Sequence, residues 1–249
     1  MGVALLMDVV NPGGMPLVLV ILNLRYTNII GLGCYDRRPT TLKFRFCTKV
    51  RVLNILVINS PQVHVLVWNS QNVEINNLSI TSPPLSPNTD GIHIEASTNI
   101  IVIHSLIRAG DDCISIGDQS SFIHVSNLLC GPGHGISIGS LGIGGSVANV
   151  HNIDVHGAHF YGTTNGVRIK TYQATAVHID NVTFSNAIGT SSTEIAMNLN
   201  CSKSVPCTNI NFKEIRLTPS KPLKVIQSSC NNAQGTTTGV VQPASCLHP

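Results

Sequence analysis

Three acidic residues and a histidine fall at a regular interval in the middle of the chain. Asp90, Asp112 and His134 are each 22 residues apart, and Asp111 immediately precedes Asp112. If each interval is one turn of a coil of strands, these side chains stack above one another at about 4.8 Å per step. Crowded carboxylates raise the pKa of at least one member, and a carboxylic acid that keeps its proton is what general-acid catalysis requires.

Two cations follow the acidic group in the sequence. Arg168 and Lys170 are two residues apart, so on a strand both side chains leave the same face. The combined set favours a hydrolytic site, although a purely structural ion-pair network is an alternative. Three aspartates and a histidine could also hold calcium or a transition metal. The neighbouring cations argue against a metal, and we expect none.

One further match to a catalytic pattern is set aside. Gly135-Ile-Ser137-Ile-Gly139 fits the G-x-S-x-G pattern of a nucleophilic serine, which requires a strand, a sharp turn and a helix. Ser137 instead lies inside an alternating strand, with equivalents at Ser115 and His93.

A short repeat predicts the elements that carry these residues. The motif apolar-x-apolar-x-Asn-apolar occurs in imperfect copies, and Gly-Ile-x-Ile strands lie between them. Short strands with one apolar face predict a parallel β-solenoid, in which the repeated asparagines stack at a corner between strands. A β-sandwich is the alternative, but it requires hairpin turns. The motif copies begin at Val50, Val73, Ile101, Ile123, Ala148, Val177 and Ile210.

Composition excludes several classes of protein. Charged residues make up 11% of the 249 residues, and the net charge is +3 without a long basic run, so we expect no nucleic-acid partner. The longest apolar run, Leu17 to Leu22, is too short to span a membrane, and no clear signal peptide precedes it. Eight cysteines without a C-x-x-C pattern favour disulfides and an oxidising compartment over zinc.

Four segments together resemble the signature segments of polygalacturonases, most closely those of plants. They occur in the family's order and near its spacing, and the resemblance extends from about Cys34 to Cys246. It implies an all-β fold, a right-handed parallel β-helix, with a single catalytic domain over 34–249 and an unmatched N-terminal segment over 1–33. The four segments are Ser86–His93, Gly110–Gly117, Cys130–Leu141 and Asn165–Thr171.

The resemblance implies hydrolysis of α-1,4 bonds between galacturonic acid units of pectin, with inversion and without a cofactor. The protein is then a secreted monomer of the cell wall whose partner is an anionic polysaccharide. Asp111 resembles the general acid, and Asp90 and Asp112 resemble the pair that activates water. The remaining implied roles are support of the acid by His134, support of the site by Asn88, and binding of a substrate carboxylate by Arg168 and Lys170.

Cysteine pairing is also implied by the resemblance, as Cys113–Cys130, Cys201–Cys207 and Cys230–Cys246, while the pairing of Cys34 and Cys47 stays open.

Two departures from the family matter. The segment before Cys34 is shorter than in the family, so the first coils and a cap are expected to be absent or altered. The stretch after Gln173 is shorter too, and the role of a family tyrosine there is not transferred to Tyr172. An inactive β-helix that binds polygalacturonate without cleaving it is therefore an alternative, and a calcium-dependent pectate lyase is another.

Overall fold

The chain folds into stacked parallel strands. The structure is a computed structural model that describes residues 7–10, 17–20, 24–25, 39–172 and 177–249. Apart from a short 3-10 turn at Ile143–Gly145, the elements of the described part are strands. In chain order these are β1 Met7–Val10, β2 Leu17–Val20, β3 Leu24–Arg25, β4 Leu42–Arg45, β5 Thr48–Leu53, β6 Leu56–Ile58, β7 Val65–Trp68, β8 Gln71–Asn76, β9 Ser79–Thr81, β10 Ile92–Glu95, β11 Thr98–Arg108, β12 Ile114–Ile116, β13 Ser120–Cys130, β14 Ile136–Leu141, β15 Ala148–His156, β16 His159–Thr163, β17 Val167–Thr171, β18 Val177–Ser191, β19 Ile195–Asn200, β20 Cys207–Pro219, β21 Gln227–Asn231 and β22 Ala233–Gln242.

The strands form two parallel sheets that run the length of a coil. The first sheet has the order β1-β4-β7-β10-β12-β14-β17-β19-β21, and the second follows β2-β5-β8-β11-β13-β15-β18-β20-β22. Short strands β3, β6, β9 and β16 extend the second sheet around a further corner. Each turn of chain thus adds one strand to each sheet, which confirms the predicted parallel β-helix.

Aliphatic side chains fill the interior in columns. Ile92, Ile114, Ile136 and Val167 pair in register on four successive strands, and each is at most 2% exposed. Burying one such side chain stabilises the fold by roughly 1.5–3 kcal/mol. Because strand side chains alternate, the residue after each of these points outward, and the first sheet therefore presents a second column on its outer face.

Two columns of left-handed residues form corners along the second sheet. One runs through Asn54, Asn77, His104, Asn127, Gly157, Asn186 and Glu214, and the other through Lys49, Asn72, Asn99, Phe122, Asn152, Asn181 and Asn209. Asparagine tolerates positive φ better than most residues, which explains its recurrence. The predicted stacking is present: Asn77 Nδ2 donates to Asn54 Oδ1 at 2.7 Å, and Asn181 Nδ2 donates to Asn152 Oδ1 at 2.5 Å.

Three copies of the repeat were predicted in the wrong phase. The copy at Ile101 is one residue late, because Ile100 is the residue in register with Val73 and Ile123. Asn152 and Asn181 belong to the second corner, whereas Gly157 and Asn186 take the positions in register with Asn127. The two corners lie five residues apart and require the same backbone conformation, so a motif containing a single asparagine fits either of them.

The described residues contain three disulfides, Cys113–Cys130, Cys201–Cys207 and Cys230–Cys246, which are the pairs that the resemblance implies. Cys47 is buried, and Cys34 lies outside the described residues, as does most of the segment over 1–33. Among the described residues, no helix is both long and apolar enough to cross a membrane.

Candidate active site

The outer face of the first sheet forms the floor of the site. His93, Ser115, Ser137 and Arg168 occupy equivalent positions on β10, β12, β14 and β17, one strand above the next. The loops that enter these strands carry the acidic residues and His134. Alternation on the strands therefore places one polar column directly beside the loop side chains.

Asp112 is the most enclosed of the acidic residues, with 2% of its surface exposed. Its Oδ1 accepts hydrogen bonds from Ser137 Oγ and from Arg168 Nη2, both at 2.6 Å. Its Oδ2 accepts a longer bond of 3.4 Å from Lys170 Nζ. Two cations and a hydroxyl thus compensate the buried carboxylate, whose burial would otherwise be costly.

Asp111 pairs with His134. His134 Nδ1 lies 2.7 Å from Asp111 Oδ1, and the backbone N–H of Asn88 donates to Asp111 Oδ2 at 3.2 Å. The hydrogen bond from His134 lowers the pKa of Asp111, and the same bond raises the pKa of His134. The pair therefore holds a proton on the imidazole under conditions in which an isolated histidine would be losing it.

Gly133 allows the loop that carries His134 to approach Asp111 closely. Its φ is +135°, and a Cβ there would lie 2.4 Å from the carbonyl oxygen of Asp111. A side chain at this position would therefore separate the two loops.

Asp90 has a different environment. Its Oδ2 accepts a 2.6 Å hydrogen bond from Ser115 Oγ, and its backbone carbonyl accepts one of 2.9 Å from Nδ1 of the buried His64. Burial raises the pKa of Asp90, and the charges of Asp112 and Asp111 add to that rise.

The predicted residues converge. Ligand atoms of Asp111, Asp112 and His134 lie within 4.8 Å of one another, and the two cations contact Asp112. Asn88 contributes its backbone, since its side chain is exposed. The pKa is raised at Asp90, by burial first and by the neighbouring carboxylates second, whereas the pKa of Asp111 is lowered.

Arg168 and Lys170 are both paired with a carboxylate of the protein itself, because each contacts Asp112. Within the described part of the chain, Asp111, Asp112 and His134 are the one set of three or more side chains that could converge on a metal ion. The two cations beside Asp112 would repel a bound metal, so the charge balance favours an anionic ligand instead.

Four contributors to the site were not predicted: Ser115 and Ser137, which support Asp90 and Asp112, and His93 and His64, which contact Ser115 and the Asp90 backbone. A signal was present in the sequence. His93, Ser115, Ser137 and Arg168 share one phase of the Gly-Ile-x-Ile strands, and polar residues recurring at one outward position indicate a shared surface.

Comparison with known sequences gives a consistent result. The model of the family described as glycosyl hydrolases family 28 matches residues 33–188 and 173–246. A probable polygalacturonase of Arabidopsis thaliana is 37% identical over 253 residues, covering 84% of this chain and 56% of the relative. The polygalacturonase of Prunus persica is 36% identical over 248 residues, covering 84% of this chain and 63% of the relative. The chain thus spans less than two thirds of the length of either relative.

Solved structures share the architecture. The polygalacturonase from Erwinia carotovora superimposes with a TM-score of 0.64 at 26% identity, covering 82% of this chain and 58% of that chain. Endo-xylogalacturonan hydrolase from Aspergillus tubingensis gives a TM-score of 0.66 at 24% identity, covering 82% and 68%. The second likeness concerns the fold alone.

Proposed function

The chain belongs to glycosyl hydrolase family 28, and on that premise we propose that it hydrolyses α-1,4-glycosidic bonds between galacturonic acid units of pectin, with inversion. The domain that does so spans 34–249, and the protein acts outside the cell as a monomer. The names of the relatives support the substrate class, and the disulfides support an oxidising compartment.

In this proposal the Asp111–His134 pair supplies the proton for the leaving oxygen. In the unliganded site the proton resides on His134, because the hydrogen bond favours ionised Asp111. An anionic sugar bound beside the pair raises the pKa of Asp111, since a second negative charge disfavours the carboxylate. Substrate binding thus moves the shared proton toward the oxygen that delivers it.

Asp90 and Asp112 activate the attacking water in the same proposal. Asp112 is held in place by the hydrogen bond from Arg168, so it orients the water through a fixed acceptor. Asp90 accepts the proton, because a raised pKa makes a carboxylate a stronger base. Inverting glycosidases separate acid and base by roughly 6.5–9.5 Å to admit this water.

Lys170 is the better placed of the two cations for holding a substrate carboxylate. Its side chain is 30% exposed and its bond to Asp112 is long, whereas Arg168 is 15% exposed and tightly bound. A carboxylate entering the cleft can therefore take the Lys170 ammonium while Arg168 continues to hold Asp112.

The observation that carries the proposal is the convergence of two adjacent aspartates, a histidine and two cations on the outer face of the first sheet. The test measures release of reducing ends from polygalacturonate by the wild type and by Asp111→Asn. Wild-type activity that falls by at least about 100-fold in the variant supports hydrolysis with Asp111 as acid.

Asp154→Asn is the matched control, because Asp154 forms a similar 2.8 Å pair with His124 on the second sheet, away from the site. Equally low activity in wild type and Asp111→Asn, with retained binding of polygalacturonate, would leave a binding protein without hydrolytic function. An unsaturated product that absorbs in the ultraviolet would instead indicate a lyase.

A further inference from the structure

A row of polar side chains in contact leads from Glu95 to Asp90. Glu95 Oε2 lies 3.5 Å from His93 Nε2, His93 Nδ1 lies 2.7 Å from Ser115 Oγ, and Ser115 Oγ lies 2.6 Å from Asp90 Oδ2. The row crosses from β10 to β12 and ends at one of the three clustered carboxylates.

The direction of these bonds follows from ionisation of Asp90. An ionised carboxylate only accepts, so Ser115 donates its single hydroxyl proton to Asp90. Ser115 Oγ then accepts from His93, which requires a proton on Nδ1. The other ring nitrogen, Nε2, faces the Glu95 carboxylate at 3.5 Å. An imidazolium cation carries a proton on each ring nitrogen and so satisfies both contacts.

The neighbouring carboxylate has the same arrangement with a permanent cation. Arg168 Nε donates to Ser137 Oγ at 3.0 Å, and Ser137 donates to Asp112 at 2.6 Å. A cation therefore acts through a serine on each of two aspartates, at successive levels of the coil. At Asp112 that cation cannot lose its charge at ordinary pH, whereas at Asp90 it can.

We propose that His93 is a positioning residue for Asp90: its imidazolium form, acting through Ser115, orients the Asp90 side chain and keeps it a carboxylate at acidic pH. The inference rests on the proposed function, in which Asp90 receives the proton of the attacking water. It adds a requirement of its own: the positive charge of His93 allows Asp90 to stay ionised, and so to act as a base, at a lower pH than it otherwise would.

The surroundings of the row agree with this assignment. Burial and the charges of Asp112 and Asp111 raise the pKa of Asp90, while the charge of His93 opposes that rise. The hydrogen bond from His93 lowers the pKa of Glu95, which keeps an anion beside the imidazole.

The residues in register with His93 on the two neighbouring strands carry no charge. Leu66 lies beneath it in register on β7, and Ser115 lies above it on β12. A Cβ on Gly117 would lie 3.4 Å from the His93 ring. Glu95 and Asp90 are the carboxylates at the two ends of the row that contains His93.

The test is the pH dependence of kcat/KM on polygalacturonate for His93→Asn. Asparagine retains a side-chain N–H near the Nδ1 position but carries no charge, so the variant separates charge from hydrogen bonding. Without the cation Asp90 needs a higher pH to ionise, and the acidic limb of the profile moves up by about one pH unit. Ser115→Ala, which breaks the row, moves it in the same direction.

His156→Asn is the matched control, because His156 Nδ1 lies 3.0 Å from Ser185 Oγ in a similar pair on the second sheet. Its acidic limb stays in place. Glu95→Gln changes a side chain that is 44% exposed and so spares the fold, and it gives a smaller shift in the same direction. A lower rate in His93→Asn with an unmoved acidic limb would overturn the inference and leave a structural role for His93.

A measurement without turnover separates this inference from the proposed function. If the wild type cleaves no polygalacturonate, the proposed function fails, and the row is tested by NMR titration of the His93 ring in wild type and Asp90→Asn. Linkage through Ser115 lowers the pKa of His93 when Asp90 loses its charge. An unchanged His93 titration would show that the two groups are not coupled.

Discussion

The hydroxyl of Ser137 donates a 2.6 Å hydrogen bond to the carboxylate of Asp112, and neither residue is more than 2% exposed. The same hydroxyl accepts a 3.0 Å bond from Arg168 Nε. A serine in the middle of an apolar strand thus fixes both a buried carboxylate and its cation.

Ser137→Ala is expected to lower kcat on polygalacturonate by about 10-fold, because a hydrogen bond to a charged group contributes roughly 1.5–3 kcal/mol. Asp112 keeps Arg168 and Lys170, so the loss is partial. Ser105→Ala is the control, since Ser105 is equally buried but bonds only to backbone groups of Ile103 and Leu78. It lowers stability without lowering the kcat of the folded protein. Equal effects of both substitutions on kcat would contradict a specific role for Ser137.

The fold and the loops of the candidate site were predictable because their signals are local. Period-2 alternation identifies the strands, and the 22-residue interval stacks Asp90, Asp112 and His134. The roles of Ser115 and Ser137 were not predictable from residue type. A serine between two isoleucines fits an ordinary exposed strand position, and only the packing of loop side chains over the sheet buries it.

The assignment of asparagines to the two corners was wrong for a related reason. Asn72 and Asn77, or Asn181 and Asn186, are both left-handed, and each pair spans two different corners. Local conformation is the same at both, so the sequence preference is the same. The pairing of neighbouring strands, which distinguishes the corners, is a non-local property.

Arg168→Lys is expected to lower kcat/KM by about 10-fold or more, although the charge is conserved. Arg168 contacts Asp112 through Nη2 and Ser137 through Nε, and a single ammonium cannot reproduce this fork. Arg51→Lys provides the control, because Arg51 also binds a carboxylate through Nε and Nη2, with Glu74, on the exposed second sheet. Steady-state kinetics on polygalacturonate check both. Full activity of Arg168→Lys would show that charge alone is sufficient.

Hydrolysis is expected to decline as the pH rises above 6.5. The bond to Asp111 raises the pKa of His134 above its ordinary value of 6.5, so the pair keeps its proton below that shifted value and loses it as the pH rises through it. His134→Asn removes the titrating group. Its profile should lack this alkaline limb, and its maximal rate should be lower by about 100-fold. A pH series of kcat/KM measures both effects.

His124→Asn tests whether the alkaline limb belongs to His134, because His124 makes an equivalent 2.8 Å pair with Asp154 far from the cleft. That variant should keep the wild-type profile. An alkaline limb that persists in His134→Asn would assign the titration to another group and would remove the pair as the source of the proton.

His64 should make the folded state less stable at acidic pH. Burial lowers its pKa to about 4, and its Nε2 accepts a 3.4 Å bond from the Ser60 N–H, which a protonated ring could not do. An unfolded chain protonates this histidine near pH 6.5, so between those two values the unfolded state binds the extra proton and stability falls as the pH falls. The loss of stability reaches about 3 kcal/mol at most.

Urea unfolding at pH 7 and pH 4.5 tests this prediction. The loss of stability between the two pH values should be smaller in His64→Gln than in wild type, whereas the exposed His178→Gln should match wild type. An identical loss in all three proteins would mean that His64 is protonated in the folded state as readily as in the unfolded chain.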